Sequence, residues 1–123
     1  MSRERRSPRI VLSPAAKADI RTILRWSEEH FGKQAALRYE ELIIQAMRDI
    51  ERDPNLPGSQ RREELAKGVL VYPIRFSREH VSQSVGKVHD PRHLIIYRCR
   101  SGALIEISRV LHDSRDIVRH VPE

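Results

Sequence analysis

Apolar and small side chains recur at three- and four-residue spacing at Ala16, Ile20, Ile23, Leu24, Ser27 and Phe31, a stripe that predicts one amphipathic helix. Ser13-Pro14 supplies its start: a serine oxygen can accept from free first-turn amides, and proline suits the first helical position. Gly32 supplies its stop. A second stripe, Ala35, Tyr39, Leu42, Ile43, Ala46 and Ile50, predicts another helix that ends at Asp53-Pro54, because proline disfavours helical geometry in the residue before it. With only Gly32-Lys33 between them, the two helices should form an antiparallel hairpin.

The remaining apolar segments read as strands. Arg9-Ile-Val-Leu12 is a short one, and Val69 to Phe76 is another, where Pro73 demands a sheet edge or a bulge. His93 to Arg100 and Ala103 to Leu111 are β-branched runs joined by Ser101-Gly102, a two-residue hairpin signal. Alternation puts Ile95, Tyr97 and Cys99 on one face of the first run and Ile96, Arg98 and Arg100 on the other. In the second run, Ala103, Ile105, Ile107 and Arg109 alternate with Leu104, Glu106 and Ser108, so one sheet face should carry exposed arginines. Gln60 to Lys67 is too short to assign, Ser77 to Pro91 reads as a polar loop, and Asp113 to His120 suggests a short terminal helix.

The order β-α-α-β-β-β-α belongs to the α+β class: an N-terminal strand and α-helical hairpin packed on a small antiparallel β-sheet, with a short C-terminal helix. Residues 1–9 are expected to be a disordered basic arm and residues 10–123 one domain, since 123 residues leave little room for a second core.

Charge then narrows the picture. Lys and Arg number 23 against 17 Asp and Glu, a formal +6. The surplus is uneven: residues 1–9 carry net +3, residues 10–53 net −1 and residues 54–123 net +4. Acidic partners or nucleic acid should therefore meet the arm and the second half. No apolar run approaches the roughly 20 residues that span a bilayer, and the arginine-rich start lacks a secretory core, so a cytoplasmic setting is expected. The single Cys99 fits a reducing compartment and reads as a small core hydrophobe.

Chemistry-bearing patterns are sparse. Six scattered histidines and one cysteine offer no zinc spacing, and five glycines form no phosphate-cradling loop, so neither a metal nor a cofactor is expected. Arg75, Arg92, Arg98, Arg109, Tyr97 and His112 lie on or beside strands and could surround a phosphate, but alternation argues against their converging, and Tyr97 reads as core. Trp26 lies off the apolar stripe of its helix, which suits either an interface anchor or a cap on the edge of the core.

The chain resembles the ParE branch of the ParE/RelE toxins of type II toxin–antitoxin systems. The likeness runs from about Ile10 to Val121. It rests on Leu12-Ser-Pro-Ala-Ala-Lys-Ala-Asp-Ile20, Trp26, Gly32, Tyr39 with Leu42, and Asp53-Pro54. It is carried furthest by His93-Leu-Ile-Ile-Tyr-Arg98 followed by Ile105 to His120 with its Arg-Val-Leu-His core. The resemblance implies a non-enzymatic toxin that poisons DNA gyrase, stalls replication and is neutralised by a ParD-like antitoxin wrapped around it. It also makes Arg98, Arg109, His112, Arg115 and Arg119 candidates for binding the target or partner, with Trp26 a candidate for the antitoxin. Two departures are the arginine-rich arm and the Ser77 to Pro91 insertion. The alternatives are a RelE-like ribosome-dependent mRNA endonuclease, although the ending Ile117 to Glu123 offers no terminal tyrosine or phenylalanine, and a degenerate, non-toxic binding module.

Overall fold

The computed structural model describes residues 9–82, 84, 86–100 and 103–114. Strand β1 (Arg9–Leu12) leads into helices α1 (Pro14–Phe31) and α2 (Lys33–Arg52). Strands β2 (Gln60–Arg61) and β3 (Val69–Pro73), a 3-10 helix (Ile74–His80), and strands β4 (His93–Arg100) and β5 (Leu104–His112) follow. The sheet order is β1-β5-β4-β3-β2. It is mixed, because β1 runs parallel to β5 while the other neighbours are antiparallel. The α-helical hairpin carries the chain from one edge of the sheet to the other, which is what lets the first strand run parallel to the last. Arg9 belongs to β1 and not to the arm.

The α1 start forms as its sequence dictates. Ser13 Oγ accepts from the Ala16 amide at 3.0 Å and donates to the Ser108 carbonyl at 2.8 Å, so one hydroxyl both caps the helix and ties it to β5. Replacing Ser13 with alanine is expected to lower stability by about 1–2 kcal/mol, read as a shifted urea midpoint with an unchanged slope. Gly32 alone joins the helices at φ 95, a conformation that glycine adopts without steric cost.

The main core lies between the helical hairpin and the sheet. Ala16, Leu42, Ile43, Ala46 and Ile50 pack on Tyr72, Ile95, Tyr97, Ile105, Ile107 and Val110. Tyr97 is fully buried, as its strand position implied, and donates to the Pro54 carbonyl at 2.6 Å, closing the turn after α2. The predicted stripe of α1 breaks at its end: Phe31 is 68% exposed.

The opposite sheet face does not simply present arginines to water. Val69, Val71, Ile96 and Leu111 form a second small apolar cluster there, flanked by Leu65, Ala66 and Leu94. Cys99 is exposed rather than core, because β3 begins opposite Arg98 and gives this end of β4 no neighbour on that side. Pro73 lies past the two residues that β2 covers, on a free edge that needs no donor, and there the strand gives way to the 3-10 helix. The 3-10 helix is fastened to α2 by Asp49, whose buried carboxylate takes hydrogen bonds from Gln45, Ser77 and His80. Burial alone would raise the pKa of Asp49, but these donors outweigh it and hold the carboxyl below its ordinary value. The Ser77 to Pro91 stretch is thus ordered at its start.

Between Ile96 and Tyr97 on β4, β5 carries one extra residue: Ile96 faces Arg109 while Tyr97 faces Ile107. This bulge at Ser108 reverses the alternation of β5, so Val110 joins the Ile105 and Ile107 core and Arg109 leaves that face. The proposed terminal helix has only Asp113 and Ser114 within the described residues, where they form a turn.

Candidate functional site: a groove between the helical hairpin and the end of β5

Strand β1 stops opposite Ile107, so the last turn of β5 is left uncovered beside α1 and α2. The space there is a groove of about 1350 Å³. Ile23, Trp26 and Phe31 form its apolar wall, Val88 and Leu111 add to it, and polar groups from α2, the segment before β4, and β5 form the rest.

Trp26 is 52% exposed, stacked on His30 at 4.1 Å between ring centroids and edge-on to Phe31 at 5.6 Å. His30 Nδ1 lies 2.9 Å from the Trp26 carbonyl, which fixes the ring against the helix. A tryptophan, a histidine and a phenylalanine thus share the open end of α1. Exposed apolar rings grouped at a groove mark a place for a partner more often than scattered ones do.

Arg109 reaches across the strand edge to Asp19 of α1. Its Nε and Nη2 bond the two carboxylate oxygens at 2.7 and 2.9 Å, a bidentate pair in which the side chains are 21% and 14% exposed. Asp19 Oδ2 also accepts the Val110 amide at 2.9 Å, which β1 no longer serves. The hydrogen bonds to Asp19 hold the Arg109 guanidinium even more firmly charged than usual. Arg109 is therefore built into the wall of the groove.

At the far end, Tyr39 Oη lies 2.6 Å from His93 Nδ1. Burial pushes the Tyr39 hydroxyl up to about 12, against the opposing hydrogen bond with the Arg92 backbone. Burial, then the nearby His112, pushes His93 down to about 4. His93 is thus neutral at pH 7. His93 and His112 are a cross-strand pair with ring centroids 5.2 Å apart, and Arg92 pairs with Asp113 at 2.8 Å.

The structure brings together three of the sequence candidates, Trp26, Arg109 and His112, on one groove. Arg98 lies elsewhere: it faces Glu106 and Val69 in register, and its Nη1 donates to the Lys67 carbonyl at 3.2 Å. Arg115 and Arg119 fall outside the described residues. Sequence reasoning missed Asp19 and the Tyr39–His93 contact, since both depend on which strand ends lie beside the helices. Among the described residues, no group of three or more His, Cys, Asp or Glu side chains could hold a metal ion, and no helix is long and apolar enough to cross a membrane.

The strand and helical hairpin laid on a five-stranded sheet define an α+β domain of the ParE/RelE-like kind. The profile of the family described as "ParE toxin of type II toxin-antitoxin system, parDE" matches residues 10–117, and the chain belongs to that family. It is the toxin component of a toxin–antitoxin system, and an antitoxin is its partner. No curated protein matches the chain significantly.

Proposed function

We propose that this toxin inhibits DNA gyrase by binding rather than by catalysis, blocks replication, and is neutralised by a ParD-like antitoxin seated in the groove beside Trp26. The observation that carries this reading is the family match from residue 10 to residue 117, nearly the whole chain. The groove supports it: apolar rings stand open to a partner, while Tyr39 and His93 are held neutral by burial. The basic surplus of the second half suits a gyrase–DNA complex, whose surface is acidic. The cytoplasm is where gyrase and DNA would be met.

The deciding experiment is a gyrase supercoiling and cleavage-complex assay with the purified chain, run beside a ribosome-dependent mRNA cleavage assay. Lost supercoiling or trapped broken DNA, with mRNA intact, is the expected result. Active gyrase with cut mRNA would move the protein to a ribonuclease mechanism, and silence in both would favour a degenerate toxin or a different target. Trp26→Ala should leave stability within about 0.5 kcal/mol of the parent, because the ring is half exposed. The same change should weaken antitoxin binding about tenfold or more in calorimetry, as expected for an aromatic anchor.

A further inference from the structure

We propose that His112 is a pH-operated toggle at the end of the groove, which holds the turn after β5 when neutral and releases it when protonated. The inference concerns the chain itself and goes beyond the gyrase reading; it stands whatever the target proves to be.

The geometry supplies two alternative sets of partners. The backbone amide of Ser114 lies 3.1 Å from His112 Nδ1. An amide can only donate, so Nδ1 is the acceptor and the ring is neutral with its proton on Nε2. This bond closes the turn at the point where the chain leaves the sheet. Ser114 Oγ, at 2.8 Å from the same nitrogen, can donate to it as well.

A proton on Nδ1 would set two N–H groups against each other. The ring then needs an acceptor, and one is in place. Asp113 Oδ1 lies 3.5 Å from Nδ1, and it is a buried oxygen that accepts no hydrogen bond among the described residues. Asp113 is held near it through its other oxygen, which Arg92 Nε binds at 2.8 Å. A charged carboxylate is a stronger acceptor for an imidazolium than the Ser114 hydroxyl, and in either case the Ser114 amide loses its partner.

Proton entry at His112 is also sterically open. Its side chain is 41% exposed, whereas His93 is tied to Tyr39. The charges that face His112 compete. From the segment before β4 comes Arg92, which disfavours a further positive charge; His93 of β4 and Tyr39 of α2 are held neutral by burial. Asp113 favours it, Asp90 lines the same groove, and Asp19 of α1 is already engaged by Arg109. The toggle therefore changes both the charge of the groove and the closure of the Asp113-Ser114 turn. A histidine whose two protonation states have different built partners is the usual molecular form of such a switch.

The test follows ring nitrogens and amides of the full chain by NMR from pH 8 to pH 5. On protonation of His112, exchange of the Ser114 amide, corrected for its intrinsic pH dependence, should speed by about fivefold, the loss of one ordinary hydrogen bond. The amides of Ile95 and Tyr97 should stay protected, which separates the toggle from unfolding. Asp113→Asn, which removes the waiting carboxylate, should delay the change to lower pH. His112→Gln should make Ser114 exchange independent of pH. The proposal is overturned if Ser114 ignores the titration of His112, or if the Asp113→Asn variant changes at the same pH as the parent.

Discussion

Replacing Asp19 with alanine should destabilise the protein by about 2–3 kcal/mol, as a smaller midpoint in urea with an unchanged slope. The size follows from what the carboxylate does. It binds Arg109 through both oxygens and takes the Val110 amide, which no strand covers. Alanine would take the bidentate carboxylate away from a guanidinium largely shielded from water and would orphan an amide at the sheet edge. The upper end of the range for buried pairs does not apply, since the two side chains keep 14% and 21% of their exposure and water can reach them. Asp19→Asn offers a control: it keeps an oxygen for Arg109 or Val110 but loses the charge, and should cost about half as much. Arg109→Ala should cost less than Asp19→Ala, because it leaves the carboxylate still bonded to Val110. Equal effects of Asp19→Ala and a control change on the exposed face of α1 would show that the pair contributes nothing.

That pair illustrates how far the sequence could be read. The helices were legible to within a residue because each has its own start and stop: Ser13-Pro14 and Gly32, then Asp53-Pro54. The α+β class followed from the change of period after Lys67. The assembly of the groove did not follow, because it depends on register. A two-residue turn at Ser101-Gly102 would set Arg100 opposite Ala103, whereas Arg100 faces Leu104, and the Ser108 bulge then shifts the pairing once more. Both shifts together bring His93 opposite His112 and free Arg109 to meet Asp19. Neither shift leaves a mark in composition or alternation. Phe31 and Cys99 fail for a related reason: periodicity gives the face on which a side chain stands, but not whether another element extends far enough to cover it. The parallel pairing of β1 is likewise a matter of where the helical hairpin returns the chain. Trp26 was legible, since its departure from the stripe is local and its exposure needs nothing distant.

Stability should fall by up to about 3 kcal/mol between pH 6.5 and pH 4 through His93 alone, with about 2 kcal/mol already lost at pH 5. An unfolded chain takes a proton on this ring as the pH drops through about 6.5. The native protein refuses it until about pH 4, first because the ring is buried and second because His112 lies opposite. Over that window the unfolded state binds more protons, so acid favours unfolding; above it both states are neutral and the term vanishes. Asp49 and Asp113 work in the same direction but lower on the scale. Their native carboxyls are held below the ordinary value, so their contribution is lost as the pH falls through the range where carboxylates take up protons. His93→Gln separates the two effects, because an amide can still meet Tyr39 but cannot titrate. Denaturant unfolding of both proteins at pH 7 and pH 5 should show the parent losing about 2 kcal/mol more than the variant. Equal losses would mean that His93 titrates in the native protein much as it does in the unfolded chain, and the closed packing of Tyr39, His93 and His112 would have to be abandoned.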